Sequence, residues 1–176
     1  MRRDNSIQDG QYPHMRIKFA WVLVAVSGLW VPPAAAGPFE DALVAAQAGD
    51  FAMAVSLLRP LVDAGDPASQ YNLGIMYENG GGVEQDYFEA AHLYGLAARQ
   101  GHADAQLNLG AMYGNGWGVD RDFSEAFSWF SLAAAQGNAD APDLRDLAAS
   151  QLSPEELAAA RAQSGNYWDL YVVPFQ

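Results

Sequence analysis

Residues 70–83 read QYNLGIMYENGGGV and residues 106–119 read QLNLGAMYGNGWGV. Aligning Gly74 with Gly110 sets an offset of 36 residues, and the match runs on downstream. Asp86, Glu89 and Ala90 recur as Asp122, Glu125 and Ala126, and the run 97–101 recurs as 133–137. A degenerate copy lies upstream, where Asp50-Phe51-Ala52-Met53-Ala54 aligns with residues 86–90. Ala139-Asp140-Ala141 repeats Ala103-Asp104-Ala105 before the Leu-Gly signature fades. Self-similarity at such a period marks an array of supersecondary units, each too small to bury its own apolar face. Terminal units that lose the consensus fit that reading, because their outer faces meet water.

Each unit divides into two helices. In 68–78, Leu73, Met76 and Tyr77 share one helical stripe, and Gly80-Gly81-Gly82 ends it. Segment 87–99 is rich in Ala, Leu and aromatics and ends near Gly101, a candidate C′ residue. Asp86 and Asp122 stand where N-caps belong, each with Glu three residues on, the pattern of a capping box. Gly74 and Gly110 fall inside helices, where glycine costs about 1 kcal/mol relative to alanine. Their shared register predicts a neighbouring helix too close for a Cβ. Pro60, inside the apolar stretch 55–62, is expected to kink or stop its helix near Arg59. Ser153-Pro154-Glu155-Glu156 reads as the start of a final capping helix.

The pattern carried by Leu73, Gly74, Tyr77, Gly80, Gly82, Val83, Asp86, Ala90, Tyr94, Ala97, Ala98 and Gly101 resembles the Sel1-like repeat, a relative of the tetratricopeptide repeat. It recurs in Leu109, Gly110, Tyr113, Gly116, Gly118, Val119, Asp122, Ala126, Trp129, Ala133, Ala134 and Gly137. The departures are Asp104 opposite Ala68, and Leu93 at the Trp129 position. The resemblance implies an all-α fold, an α-solenoid of stacked antiparallel helical hairpins. The expected divisions are a signal peptide over 1–36, a degenerate repeat over 37–66, repeats over 67–102 and 103–138, capping helices over 139–165, and an aromatic tail over 166–176. That tail is expected either to fold back over the last helix or to act as a strand-like ligand for a groove.

Composition narrows the chemistry. The 176 residues carry 9 basic and 21 acidic groups, a net charge of −12, with no cysteine and three histidines. Such a balance argues against nucleic-acid binding, which depends on Lys and Arg neutralising phosphates, and against an electrostatic hold on anionic lipid. Met15-Arg16-Ile17-Lys18, an apolar run to Val31, and Ala34-Ala35-Ala36 match a secretory signal peptide with an A-x-A cleavage site. The start lies at Met1 or at Met15. Cleavage after Ala36 would leave 5 basic and 19 acidic residues, a net of −14, in a periplasmic or secreted bacterial protein with no membrane segment.

No catalytic constellation is visible, and no cofactor or metal is expected. The glycine run 80–82 lacks the strand, Lys and Ser/Thr of a P-loop. His92 and His102 have no ligand spacing, Asp120 and Asp122 lack a calcium loop, and no serine sits in a G-x-S-x-G elbow. Binding is the better use of a solenoid, which offers an extended concave surface. In the Sel1-like family that these repeats resemble, the first helix of each pair usually lines it. With Leu73 as the core direction, Tyr71, Asn72, Ile75, Glu78 and Asn79 point outward, and Leu107, Asn108, Ala111, Gly114 and Asn115 are their partners. Asn72 and Asn108 would hold a peptide backbone or satisfy inter-repeat backbone groups. Trp117, at the position of Gly81, is an interaction anchor or a packing residue over a repeat junction.

The expected function is a non-enzymatic adaptor or regulator that binds a basic or neutral protein or peptide. A different class remains open, a cell-envelope enzyme acting on peptidoglycan or β-lactams, although no S-x-x-K triplet is present. So does an effector delivered into another cell. Nothing in the residues indicates an oligomeric state.

Overall fold

The computed structural model describes residues 37–175, so the expected signal peptide over 1–36 lies outside the described residues. Eight α-helices follow one another among them, and no strand. They are α1 (Pro38–Gln47), α2 (Phe51–Asp63), α3 (Pro67–Asn79), α4 (Tyr87–Ala98), α5 (Ala103–Asn115), α6 (Phe123–Ala135), α7 (Ala141–Ala149) and α8 (Pro154–Tyr171). A single 3₁₀ turn, Val173–Phe175, closes the chain.

Local chemistry explains the boundaries. Asp50, Asp66, Asp86 and Asp122 each accept backbone N–H groups at the start of α2, α3, α4 and α6, a cap worth about 1 kcal/mol apiece. The aspartate half of the expected capping boxes is therefore present. The glutamate half is replaced: the backbone N–H of Asp86 donates to the Tyr77 carbonyl at 2.9 Å and that of Asp122 to the Tyr113 carbonyl at 3.0 Å. A reciprocal box forms at Ser153 and Glu156, starting α8 at the expected place. Gly80 and Gly116 end α3 and α5 in the left-handed region. Gly101 lies two residues beyond the C-cap Arg99, one step further than expected.

Two expectations need correction. Helix α2 does not stop near Arg59, one of the two outcomes expected of Pro60, but continues to Asp63. Ser56, whose carbonyl loses its i+4 donor, and Pro60 are both exposed on one face, so that carbonyl is left where solvent can satisfy it. Residues 166–171 are neither a flap nor a strand. They are the last turns of α8, so the expected boundary at 165 falls inside a helix.

Consecutive helices pair from α1 through α7, and α8 packs back on α6. Three apolar clusters run through it: Ala54, Leu58, Leu73 and Met76 between the first two hairpins; Tyr94, Leu109, Met112 and Trp129 in the middle; Leu107, Phe130, Ala133 and Ala148 towards the end. The molecule is an all-α helical-repeat solenoid. The helical glycines behave as their spacing predicted. A Cβ on Gly74 would lie 2.8 Å from the Tyr94 ring, and one on Gly110 would lie 2.8 Å from the Phe130 ring. The neighbour that forbids a side chain is an aromatic face of the partner helix.

The hairpins are joined by two further recurring contacts. A Cβ on Gly82 would meet the backbone of Phe51 at 2.5 Å, and one on Gly118 would meet the Tyr87 carbonyl oxygen at 2.0 Å. Each glycine loop thus rests on the first turn of the preceding hairpin's second helix. Glutamine amides link the two helices within a hairpin: Gln100 donates to Gln70 at 2.8 Å, and Gln136 to Gln106 at 2.7 Å. Buried Gln106 also donates to the Ala98 carbonyl of the hairpin before it, at 3.1 Å. These buried amides have partners, as buried polar groups must. The signal for them was the recurrence of all four glutamines at the repeat offset.

Candidate binding surface

The outward stripe expected on α3 and α5 divides when the hairpins stack. Asn72, Ile75 and Asn79 line a cleft of about 470 Å³ between α1 and α3, with Leu43, Ala46 and Gln47 of α1, Phe51 of α2, and Met76, Gly80 and Gly81. The amides of Asn72 and Asn79 donate to carbonyls of their own helix, Ala68 and Ile75, both at 2.8 Å. Each side-chain amide also carries an oxygen with two acceptor lone pairs.

Tyr71 faces the other way. It stacks on His102 at 4.7 Å and lies 5.9 Å from Tyr94. Burial, then the carboxylates of Asp104 and Glu78, raise its hydroxyl pKa. His102 is the N-cap of α5, its Nδ1 accepting from the Ala105 N–H at 3.2 Å. Burial holds its pKa below the usual histidine value. That nitrogen is occupied by a helix start rather than by a substrate. Glu78 accepts a hydrogen bond from the Tyr94 hydroxyl, which is fully buried. Burial, then this carboxylate, pushes the Tyr94 pKa well up.

In the second repeat the expected surface is largely interior. Leu107 is 3% exposed, in the cluster with Phe130, Ala141 and Ala148, so its outward assignment is corrected. Asn108 is 6% exposed and hydrogen-bonds Tyr94. Ala111 packs beside the same cluster, and Asn115 is half-buried with its Nδ2 lacking a hydrogen bond. The physical reason is stacking. A first helix in mid-array meets its own partner and a hairpin on each side, so its free stripe is narrower than one core direction implies. Trp117 stacks on Tyr87 at 5.4 Å with planes 20° apart, which makes it a packing residue over the junction. Sequence reasoning missed Leu43, Ala46, Gln47 and Phe51, because the α1 unit departs from the consensus that pointed to the others.

On the opposite side α8 is held by Glu125. One carboxylate oxygen accepts from Gln163 at 2.7 Å and from the Tyr167 hydroxyl at 3.0 Å; the other accepts from the Trp129 indole at 3.0 Å. Burial, with the Glu125 charge acting in the same direction, pushes the Tyr167 hydroxyl up to about 12. Tyr167 and Tyr171 cover the Trp129 ring at 4.9 and 5.7 Å. This is the role that displaces Glu125 from a capping box. Among the described residues, no group of three His, Cys, Asp or Glu is placed to hold a metal ion, and no helix is long and apolar enough to cross a membrane.

The recurring glycine seats, capping aspartates and glutamine pairs define two equivalent hairpins, and the Sel1 repeat model matches both, over residues 67–102 and 103–138. Over these two stretches the chain is similar to the Sel1 repeat. Two solved structures share the Sel1-like arrangement. A protective antigen present in uropathogenic Escherichia coli strains, displaying an SLR fold, is 28% identical with a TM-score of 0.75, over 78% of this chain and 30% of that one. A Sel1 repeat protein from Oxalobacter formigenes is 33% identical with a TM-score of 0.58, over 61% of this chain and 44% of that one. The chain therefore spans less than half the length of either. No curated protein matches it. Sel1 repeats are in general protein-interaction modules.

Proposed function

We propose that this chain is an exported, non-enzymatic adaptor that docks a basic or neutral protein or peptide on the α1–α3 face. The observation that carries the reading is the largely apolar cleft between those helices, where Leu43, Ala46, Phe51, Ile75 and Met76 leave contact surface unfilled. Clefts of this size with few polar groups are the usual form of recognition sites. Exposed Val44 and Met53, 62% and 49% accessible, extend apolar surface along the same hairpin. The net charge of −14 over residues 37–176 favours cationic partners and speeds their approach. Export rests on the signal-like segment ending at Ala36.

The test is site-specific photo-crosslinking in the full chain. A benzoylphenylalanine at position 75 should yield a discrete adduct in the periplasmic or secreted fraction, and the same group at exposed Phe88 should not. Equal adducts from both positions, or none from position 75, would remove the α1–α3 face as the docking surface. Recovery of the chain in the cytoplasmic fraction alone would remove export.

A further inference from the structure

The α1–α3 and α3–α5 junctions share a plan, but one position is filled in only one of them. At the α3–α5 junction Trp117 stands at the position of Gly81, and its indole lies on Tyr87, the residue that corresponds to Phe51. That indole packs beside the cluster containing Met112, the counterpart of Met76. At the α1–α3 junction Phe51 and Met76 are present, but Gly81 brings no side chain. A Cβ there would stand 3.7 Å from the Phe51 ring and 3.9 Å from the Met76 backbone, in ordinary contact, so a side chain would run along that ring. Gly80 and Gly82 have positive φ, whereas Gly81 does not, so no backbone constraint demands glycine at 81. The cleft is the space of a missing aromatic.

The segment that builds it is anionic. Residues 37–86 carry eight carboxylates, Glu40, Asp41, Asp50, Asp63, Asp66, Glu78, Glu84 and Asp86, against one cation, Arg59. Arg59 lies against the Tyr77 hydroxyl, to which it donates at 3.3 Å. We propose that the α1–α3 cleft receives a tryptophan side chain presented by a lysine- or arginine-rich peptide of a partner protein, seated on Phe51 as Trp117 is seated on Tyr87. This rests on the reading of the α1–α3 face as a docking surface and specifies its ligand. A buried aromatic supplies a large contact area at low conformational cost, which is why such residues anchor interfaces. The flanking cations meet the negative field of both hairpins.

The experiment uses the full chain and three fluorescein-labelled peptides, KKGWGKK, KKGAGKK and EEGWGEE, read by fluorescence anisotropy. The first should bind, and the alanine and glutamate peptides should each bind about tenfold more weakly or worse, the loss expected for an anchor or a charge pattern removed. Gly81→Trp should fill the cleft from within, abolish binding of the tryptophan peptide and leave the thermal midpoint equal or higher. Ile75→Asp, with folding checked by circular dichroism, should weaken it comparably. Equal binding by Gly81→Trp, or by the alanine peptide, would overturn the proposal. Sedimentation showing a dimer that Gly81→Trp dissociates would make a second copy the occupant and overturn it. Gain of peptide binding in Trp21→Ala would do the same by making the chain's own basic, aromatic N-terminal segment the occupant. If the peptides fail while the adduct at position 75 persists, this inference falls alone; if both fail, the docking reading falls with it.

Discussion

The Tyr94 hydroxyl donates to the Glu78 carboxylate, and 36 residues on, Phe130 and Gly114 replace both partners together. A buried hydroxyl and its acceptor are kept or lost as a pair, because either alone leaves an unsatisfied group. Tyr94→Phe or Glu78→Ala alone should cost about 1.5–3 kcal/mol, the range for a hydrogen bond to a charged group. The double variant should cost less than the sum, with a coupling of about 1 kcal/mol or more in urea unfolding. Strictly additive losses would refute the pairing.

The helical glycines give an internally controlled series. Gly74→Ala and Gly110→Ala place a methyl 2.8 Å from an aromatic ring, so each should lose about 1–3 kcal/mol of stability despite alanine's better helix propensity. Gly95→Ala meets only the end of Arg99, at 3.7 Å, and should gain about 0.5–1 kcal/mol. Thermal melts of the three variants check the order.

The loop glycines extend the test to the backbone. Gly137, with φ of 90° and open space around it, should lose about 1 kcal/mol on change to alanine, from conformation alone. Gly118→Ala and Gly82→Ala add collisions with the Tyr87 and Phe51 backbones and should lose about 3 kcal/mol. Comparable midpoints for all three in guanidinium unfolding would show that the hairpins do not rest on these loops.

His102 makes stability depend on pH. Its folded pKa is below the ordinary 6.5, by burial, although the carboxylates of Asp104 and Asp66 pull upward and Tyr71 covers the ring. The unfolded chain therefore takes up the proton first as pH falls. The histidine's contribution is complete above about 6.5 and declines between there and the lower folded value. Protonation also removes the lone pair that caps α5. His102→Asn keeps a cap without a titration, so the wild type should lose melting temperature relative to this variant between about pH 7 and pH 5. A constant difference would remove the effect.

Glu125 should be worth more than an ordinary surface carboxylate. Its removal leaves the Trp129 indole, Gln163 and Tyr167 short of an acceptor at the α6–α8 contact. Glu125→Ala should cost about 2 kcal/mol, and amide exchange should rise first in α8.

The repeat arithmetic made the hairpins, their aspartate caps and the reason for Gly74 and Gly110 legible, since all three recur at one offset. The free face was less legible. A helical wheel drawn from Leu73 tells which side meets its partner helix, but whether Leu107 or Ile75 is covered depends on neighbours stacked at either end of the array. The continuation of α8 through Tyr171 was hidden for a similar reason. Tyr167, Trp168 and Tyr171 are ordinary helix residues that become intelligible only when Trp129 is beneath them. Glu125 fitted a local capping pattern, and a tertiary demand for an acceptor at Trp129 and Tyr167 outweighed it.

The seat of Gly118 on Tyr87 and that of Gly82 on Phe51 are one joint used twice. A hairpin that carries both halves of its own joint can be duplicated in frame and still find its neighbour. Chain length is then free to change by whole modules, whereas a gain or loss of a few residues inside one module throws the joint out of register on both sides.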